Sequence, residues 1–355
     1  MKAYYYTPIL IIFLNTNLAL AQNAPIKNFE ALWNLFDQNY ASFEEKGIDW
    51  DGVRRTYSVK INKNTSDNEL FTIFKEMLAP LNDSHVTLKA KSIDSSFKAR
   101  RPSRITDALS SIPKADRRVK FREMTEETLK VSGFENLNEI GPEFRGERLF
   151  TYGNNGKIGY LRFMRSFSKL SKMKGPTLEK ELDIIFSSFE GLEGIILDVR
   201  FNIGGDDAFS QTVAGRFVSK KTIGFYKQTR KNKEFGVLQT KYIEPAGKNP
   251  FTKPVIMLTN DRTVSAADVL CIMMAPMPNV TLIGEPSNGS YSDMYERRLP
   301  NRWEISLSNQ RYLDIDKNNY EGQGTPVDVE ALNTFDDIKS KNDTVLLTGL
   351  DFLKN

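Results

Sequence analysis

From Gly156 onward the chain alternates short, uninterrupted apolar runs with helix-period segments, and this restricts the fold more than any other feature. The runs are Gly194-Ile195-Ile196-Leu197-Asp198-Val199, Pro254-Val255-Ile256-Met257-Leu258 and Val280-Thr281-Leu282-Ile283. Short runs without polar alternation suit strands covered on both faces. Residues 157–163 read as a further strand, and Leu178, Leu182, Ile185, Phe186 and Phe189 mark a helix after it. Strands alternating with helices imply a largely parallel sheet, so residues 156–335 are expected to form an α/β domain, with 336–355 a C-terminal tail or helix.

The stretch before it has a different period. Phe29, Leu32, Trp33, Phe36, Tyr40 and Phe43 recur at three- and four-residue steps, which predicts an amphipathic helix from about residue 27. Ser66 with Glu69 three residues on is a capping box, followed by an apolar face of Leu70, Ile73, Phe74, Met77 and Leu78. Residues 22–90 are therefore expected to form a small helical domain. Residues 91–155 are basic, polar and weakly periodic, and no element is assigned to them.

The first residues have the layout of a secretory signal. Lys2 precedes the apolar run from Pro8 to Leu14, and Ala19-Leu20-Ala21 is a small-x-small cleavage site. Cleavage after Ala21 would export a chain beginning at Gln22, to a periplasm or the medium. The run is short for a membrane anchor. The single cysteine, Cys271, lies in an apolar segment and reads as packing. One histidine and one cysteine cannot supply a usual zinc site, and no cofactor is expected. The net charge of +4 argues against a nucleic-acid partner. The local basic cluster, Lys98 to Arg104 and Lys114 to Arg122, is either a solvated face or a surface that steers acidic substrates.

Three segments carry unusual residues at expected strand ends. In Asp198-Val199-Arg200-Phe201-Asn202-Ile203-Gly204-Gly205-Asp206 the double glycine makes either a tight turn or a concavity of N–H groups facing an anion. In Asn260-Asp261-Arg262-Thr263-Val264-Ser265-Ala266-Ala267-Asp268 a serine stands where a helix begins. Ser265 is either a cap or a nucleophile whose oxyanion the helix N-terminus would favour. Leu81-Asn82-Asp83-Ser84-His85 holds the only imidazole, the one side chain whose ordinary pKa suits a general base near neutrality.

Together, and in this order, these segments resemble the tail-specific, or C-terminal-processing, serine proteases and their tricorn relatives. The matching patterns are Leu-x-Asp-x-His at 81–85, Asp-x-Arg-x-Asn-x-Gly-Gly at 198–205, Thr-x-Ser-Ala-x-Asp at 263–268, Gly284-Glu285-Pro286-Ser287-Asn288-Gly289, and Glu321-Gly322-Gln323-Gly324. The processing branch uses a serine–lysine dyad, with the lysine directly after the glycine of the Gly-Glu loop; here Ser290 stands there. The tricorn-like branch uses a serine–histidine pair instead, and Ser84, His85, Ser265 and Glu321 match its set. The resemblance implies a crotonase-like βα-spiral core behind a helical domain. It also implies Ser265 as nucleophile, His85 as base oriented by Glu321 directly or through Ser84, and an oxyanion hole from Gly205, Ala266 and Gly204. Peptide or unfolded-protein substrates follow. Many members insert a peptide-gripping PDZ domain, for which the stretch between Leu88 and Gly156 is short. The alternative is a non-catalytic protein binding a small hydrophobic ligand or a peptide on the same fold.

Overall fold

The computed structural model describes residues 24–167 and 175–354. The signal-peptide expectation lies outside them. Among the described residues, no helix is long and apolar enough to cross a membrane. The chain divides into two compact units: residues up to Arg100 with 229–236 and 293–310, and residues 101–228, 237–292 and 311–355.

In the N-terminal unit the helical period read from the sequence becomes the helix Ala24–Asn39, which buries Phe29, Leu32, Trp33 and Phe36. The capping box starts the helix Asp67–Leu78: the Ser66 N–H donates to Glu69 Oε2 at 2.8 Å, and the Glu69 N–H donates to Ser66 Oγ at 3.3 Å. The unit also contains a four-stranded antiparallel sheet in the order Met294–Arg298, Glu304–Ser308, Thr87–Ala90, Ser95–Lys98. Two of those strands come from far downstream, Thr87 pairing with Ser306, 219 residues on, a partnership invisible to local periodicity. Leu88, Ile305 and Leu307 on one sheet face join Trp303 and the helices' Phe36, Phe74 and Leu78 in one core. The other face carries Thr87 and Lys89.

The second unit is built on a seven-stranded mixed sheet, ordered Val329–Glu330, Val280–Gly284, Val255–Thr259, Gly194–Asp198, Ile158–Phe163, Glu147–Asn154, Asn138–Phe144. The first five strands pair in parallel, and the last two add antiparallel. The α/β expectation holds. Alternate residues face opposite ways, and both faces are covered. Ile195, Leu197 and Met257 pack with residues of the helices Gly175–Ser187, Asp207–Ala214 and Ala266–Met274. Ile196, Ile256 and Leu258 pack with Leu129 of the helix Arg117–Val131 and Leu346 of the helix Thr344–Phe352. Cys271 is fully buried, and burial pushes its thiol well above the ordinary range.

Residues 91–155, unassigned from sequence, are structured and supply two strands of this sheet. The sequence hid them because their buried faces are partly polar. The helix Arg117–Val131 buries Thr125 and Thr128, whose hydroxyls donate to Phe121 O (3.1 Å) and Met124 O (3.0 Å). Glu147 is buried with Arg162 at 3.1 Å and Arg118 at 3.2 Å. The basic cluster is correspondingly less free than a solvated face. Arg101 donates to Asn288 O and Gln323 O at 3.0 Å each, and Arg117 donates to Ile112 O at 2.9 Å.

Candidate active site

Ser265 joins the strand Val255–Thr259 to the helix Ala266–Met274, every residue of which is buried. The connecting loop is tied on several sides. Thr263 Oγ1 donates to Val199 O (2.9 Å), the Val264 N–H to Asn202 O (2.9 Å), and Asn288 Nδ2 to Asp261 O (2.8 Å). Held this way, Ser265 has φ 67° and ψ −127°, a region sparsely populated by residues with a Cβ, where an ordinary helix cap would be extended. Such backbone costs on the order of 1–3 kcal/mol and persists only where surroundings over-determine it.

Asp268, fully buried, is the chief restraint. Its Oδ2 accepts from the N–H groups of Ser265 (2.7 Å) and Ser290 (3.1 Å), and its Oδ1 from Gly289 (2.8 Å). Burial raises its pKa to about 6, against the pull of the Ser287 hydroxyl and these backbone donors. Asp268 thus binds the start of the helix to the Gly-Glu loop. This link is not legible in the sequence, since the Gly289 and Ser290 N–H groups lie 21 and 22 residues from Asp268.

Of the three proposed oxyanion donors, two are available. The N–H of Ala266 opens the helix and has no intrahelical acceptor. The Gly205 N–H has no acceptor among the described residues, although Gly205 bridges Ser166 through its neighbours: Ser166 N–H to Gly204 O (3.0 Å) and Asp206 N–H to Ser166 O (2.8 Å). Gly204 corrects the expectation. Its N–H already donates to Asn202 Oδ1 at 2.9 Å. Its contribution is space: at φ 73° a Cβ would stand 2.5 Å from Ser265 Cβ.

Ser84 and His85 belong to the N-terminal unit, and both are buried. The His85 N–H donates to Asp83 Oδ1 (2.8 Å), Asp83 Oδ2 accepts from Tyr40 Oη (3.0 Å), and His85 O accepts from Ser306 Oγ (2.6 Å). Its Nδ1 is buried with no hydrogen-bond partner among the described residues. Burial lowers the His85 pKa below the ordinary value; the Asp83 carboxylate opposes this, and the Lys98 ammonium adds to it. The imidazole is therefore neutral at neutral pH, as a base must be. Asp83 and Ser306, which position it, were not singled out from sequence.

Glu321 is buried in the second unit. Its Oε2 accepts from the Tyr291 N–H at 3.1 Å, and the adjoining Gly322 N–H donates to Gly289 O at 2.7 Å. A continuous network therefore runs from Ser265 through Asp268 and residues 289–291 to Glu321. Ser290, at the lysine position of the processing branch, is buried with its hydroxyl on Asn288 Oδ1 at 2.8 Å. Arg200 of the Asp-x-Arg pattern is structural. It is 2% exposed, pairs with Asp198 (2.6 Å) and Asp343 (2.8 Å), and donates to Asn333 Oδ1 at 3.0 Å.

Residues 157–331 match the model of peptidase family S41, and residues 24–79 match the tricorn protease C1 domain. The chain belongs to peptidase family S41. Within S41, it is 28% identical over 173 residues to the carboxy-terminal processing protease CtpA of Bacillus subtilis (strain 168). That match spans 48% of this chain and 34% of CtpA. The structure resembles that of a candidate peptidase from Parabacteroides merdae, with a TM-score of 0.77, 26% identity and coverage of 94% and 97% of the two chains. The structure of mature CPAF complexed with lactacystin shares the fold at a TM-score of 0.64 and 13% identity, covering 94% and 97%. The S41 fold and the resemblance read from the five motifs agree.

Proposed function

We propose that this S41 member is a serine-type peptidase that uses Ser265 as nucleophile and His85 as general base. Ser265 Oγ attacks the substrate carbonyl carbon while His85 takes the hydroxyl proton. The C–N bond then breaks as His85 returns that proton to the leaving amine, leaving an ester that water hydrolyses by the same route. The Gly205 and Ala266 N–H groups would hold the oxyanion, each worth about 2.7–4 kcal/mol of transition-state stabilisation. Glu321 and Ser84 would orient the imidazole. The substrate class is peptides or unfolded protein, met after export.

The observation that carries this reading is the strained backbone of Ser265 at the start of a buried helix, with two uncommitted N–H groups assigned to its oxyanion. A serine serving only as a cap would need neither the strain nor the glycine beside it. The neutral, buried imidazole of His85 supports the base assignment. Incubation with a fluorophosphonate should add one adduct, located on Ser265 by peptide mass spectrometry, and casein should be degraded. Ser265→Ala should lose both. An adduct elsewhere, or casein cleavage that survives in Ser265→Ala, would overturn the assignment.

A further inference from the structure

In the proposed reaction His85 becomes positively charged each time it takes the Ser265 proton, and it does so at 6% exposure. Burial opposes that charge and is the largest influence holding the His85 pKa below its ordinary value. A base so placed works better with a fixed negative charge near it. Four charged groups of its own unit act on it: Asp83, Lys46, Lys98 at the end of the strand Ser95–Lys98, and Asp293 just before the strand Met294–Arg298. Lys98 and Asp293 are exposed, where water screens them, and of the four only Asp83 is fully buried.

Asp83 is held on both carboxylate oxygens. Oδ1 accepts from the His85 N–H (2.8 Å) and Oδ2 from Tyr40 Oη (3.0 Å), while the Val86 N–H closes the turn on Asp83 O (3.0 Å). Tyr40, itself fully buried, follows the helix Ala24–Asn39, and its ring packs against Phe36 and Phe43. Burial works to raise the Asp83 pKa. The Lys46 ammonium, the imidazole and the His85 N–H outweigh it, so the carboxyl stays below its ordinary range and is ionised at neutral pH. The turn alone does not ask for this. Asparagine makes the same bond to an N–H two residues on. What aspartate adds is charge, and a buried charge is costly where nothing uses it.

We propose that Asp83 is a positioning residue of the Ser265–His85 reaction, the fixed counter-charge for the imidazolium formed when His85 takes the hydroxyl proton. The inference rests on the assignment of His85 as base. Asp83 neither gives nor accepts the proton, which passes from Ser265 Oγ to the imidazole and then to the leaving amine. Glu321 and Ser84 keep the role of orienting the ring, whereas Asp83, bonded to the His85 backbone, supplies charge. Burial lowers the His85 pKa and Asp83 limits the fall.

The chain has one histidine, so a sample carrying carbon-13 histidine gives a single imidazole signal, and its NMR titration reads the His85 pKa apart from activity. Asp83→Asn keeps the turn and removes the charge. Its imidazole midpoint should fall by at least about one pH unit, and fluorophosphonate labelling of Ser265 at neutral pH should slow at least about tenfold. Asp83→Glu keeps the charge and alters the turn, so its midpoint should stay within about half a pH unit of the natural one. A midpoint that does not fall in Asp83→Asn, or that falls as far in Asp83→Glu, would make Asp83 a turn former only and overturn the proposal. Labelling of His85→Ala is read separately: a natural rate there would remove the base assignment, whatever the imidazole midpoint.

Discussion

Ser265 keeps a conformation that glycine would tolerate better because the groups around it leave no alternative. Asp268 holds its N–H, Asn202 fixes the turn beside it, and Gly204 gives it room. Gly204→Ala would push a methyl into Ser265, and a displacement of that order costs about 100-fold in rate; kcat on a fluorogenic peptide checks this. In Asp268→Ala three buried N–H groups lose their acceptor, at about 1–3 kcal/mol each, so thermal unfolding should shift down by several degrees and labelling of Ser265 should slow. The proton balance has a definite sign. His85 has a lowered pKa, so activity should be full at neutral pH and fall only as pH drops through a midpoint below the ordinary imidazole value of about 6.5. Asp268 protonates near 6 in the same range. An acid limb that persists in Asp268→Asn therefore belongs to His85. The candidate residues Ser265 and His85 stand out in the sequence because the chain has one histidine and because five motifs keep their order. The backbone strain and the role of Asp268 do not, since both arise from groups far apart in sequence.

At the scale of elements, periodicity was legible wherever a buried face is uniformly apolar, as in the strands through Ile196 and Ile256 and the helix after Ser66. It failed for the helix Arg117–Val131, whose inner face mixes Phe121 and Met124 with threonines that satisfy their own hydroxyls. It also failed for the antiparallel sheet of the N-terminal unit, half of which arrives from residues 294–308. The Asp-x-Arg pattern, placed beside the glycine turn, proves to be an anchor for the C-terminal helices. Arg200 joins Asp198 to Asp343, and Asp343 in turn accepts from Thr125 Oγ1 at 2.8 Å and the Leu346 N–H at 3.1 Å. Removing one partner of a buried pair leaves an uncompensated charge. Asp343→Ala is expected to lower the free energy of unfolding by about 3–5 kcal/mol, measured by urea titration. A loss below about 1 kcal/mol would show that the anchor matters little.

For the whole molecule, the proposed reaction takes its nucleophile from one unit and its base from the other, and the proposed export would place it outside the cytoplasm. Export is tested by expressing residues 1–355 in a secreting host and determining the N-terminus of the released protein. Gln22 is expected, and retention of Met1 would contradict the signal reading. The division into units was only partly legible. The helical start and the α/β core stand out in the sequence, whereas the return of residues 229–236 and 293–310 to the N-terminal unit has no local signal. Whether His85 takes the Ser265 proton is read from the rate of fluorophosphonate labelling at Ser265 from about pH 4 to 8, in the natural protein and in His85→Ala. One acid limb is expected in the natural protein, with its midpoint below about 6.5, and at neutral pH a rate at least ~100-fold lower in His85→Ala, the two rates converging as pH falls. A rate independent of pH, or one that His85→Ala leaves unchanged, would show that His85 does not take the proton from Ser265.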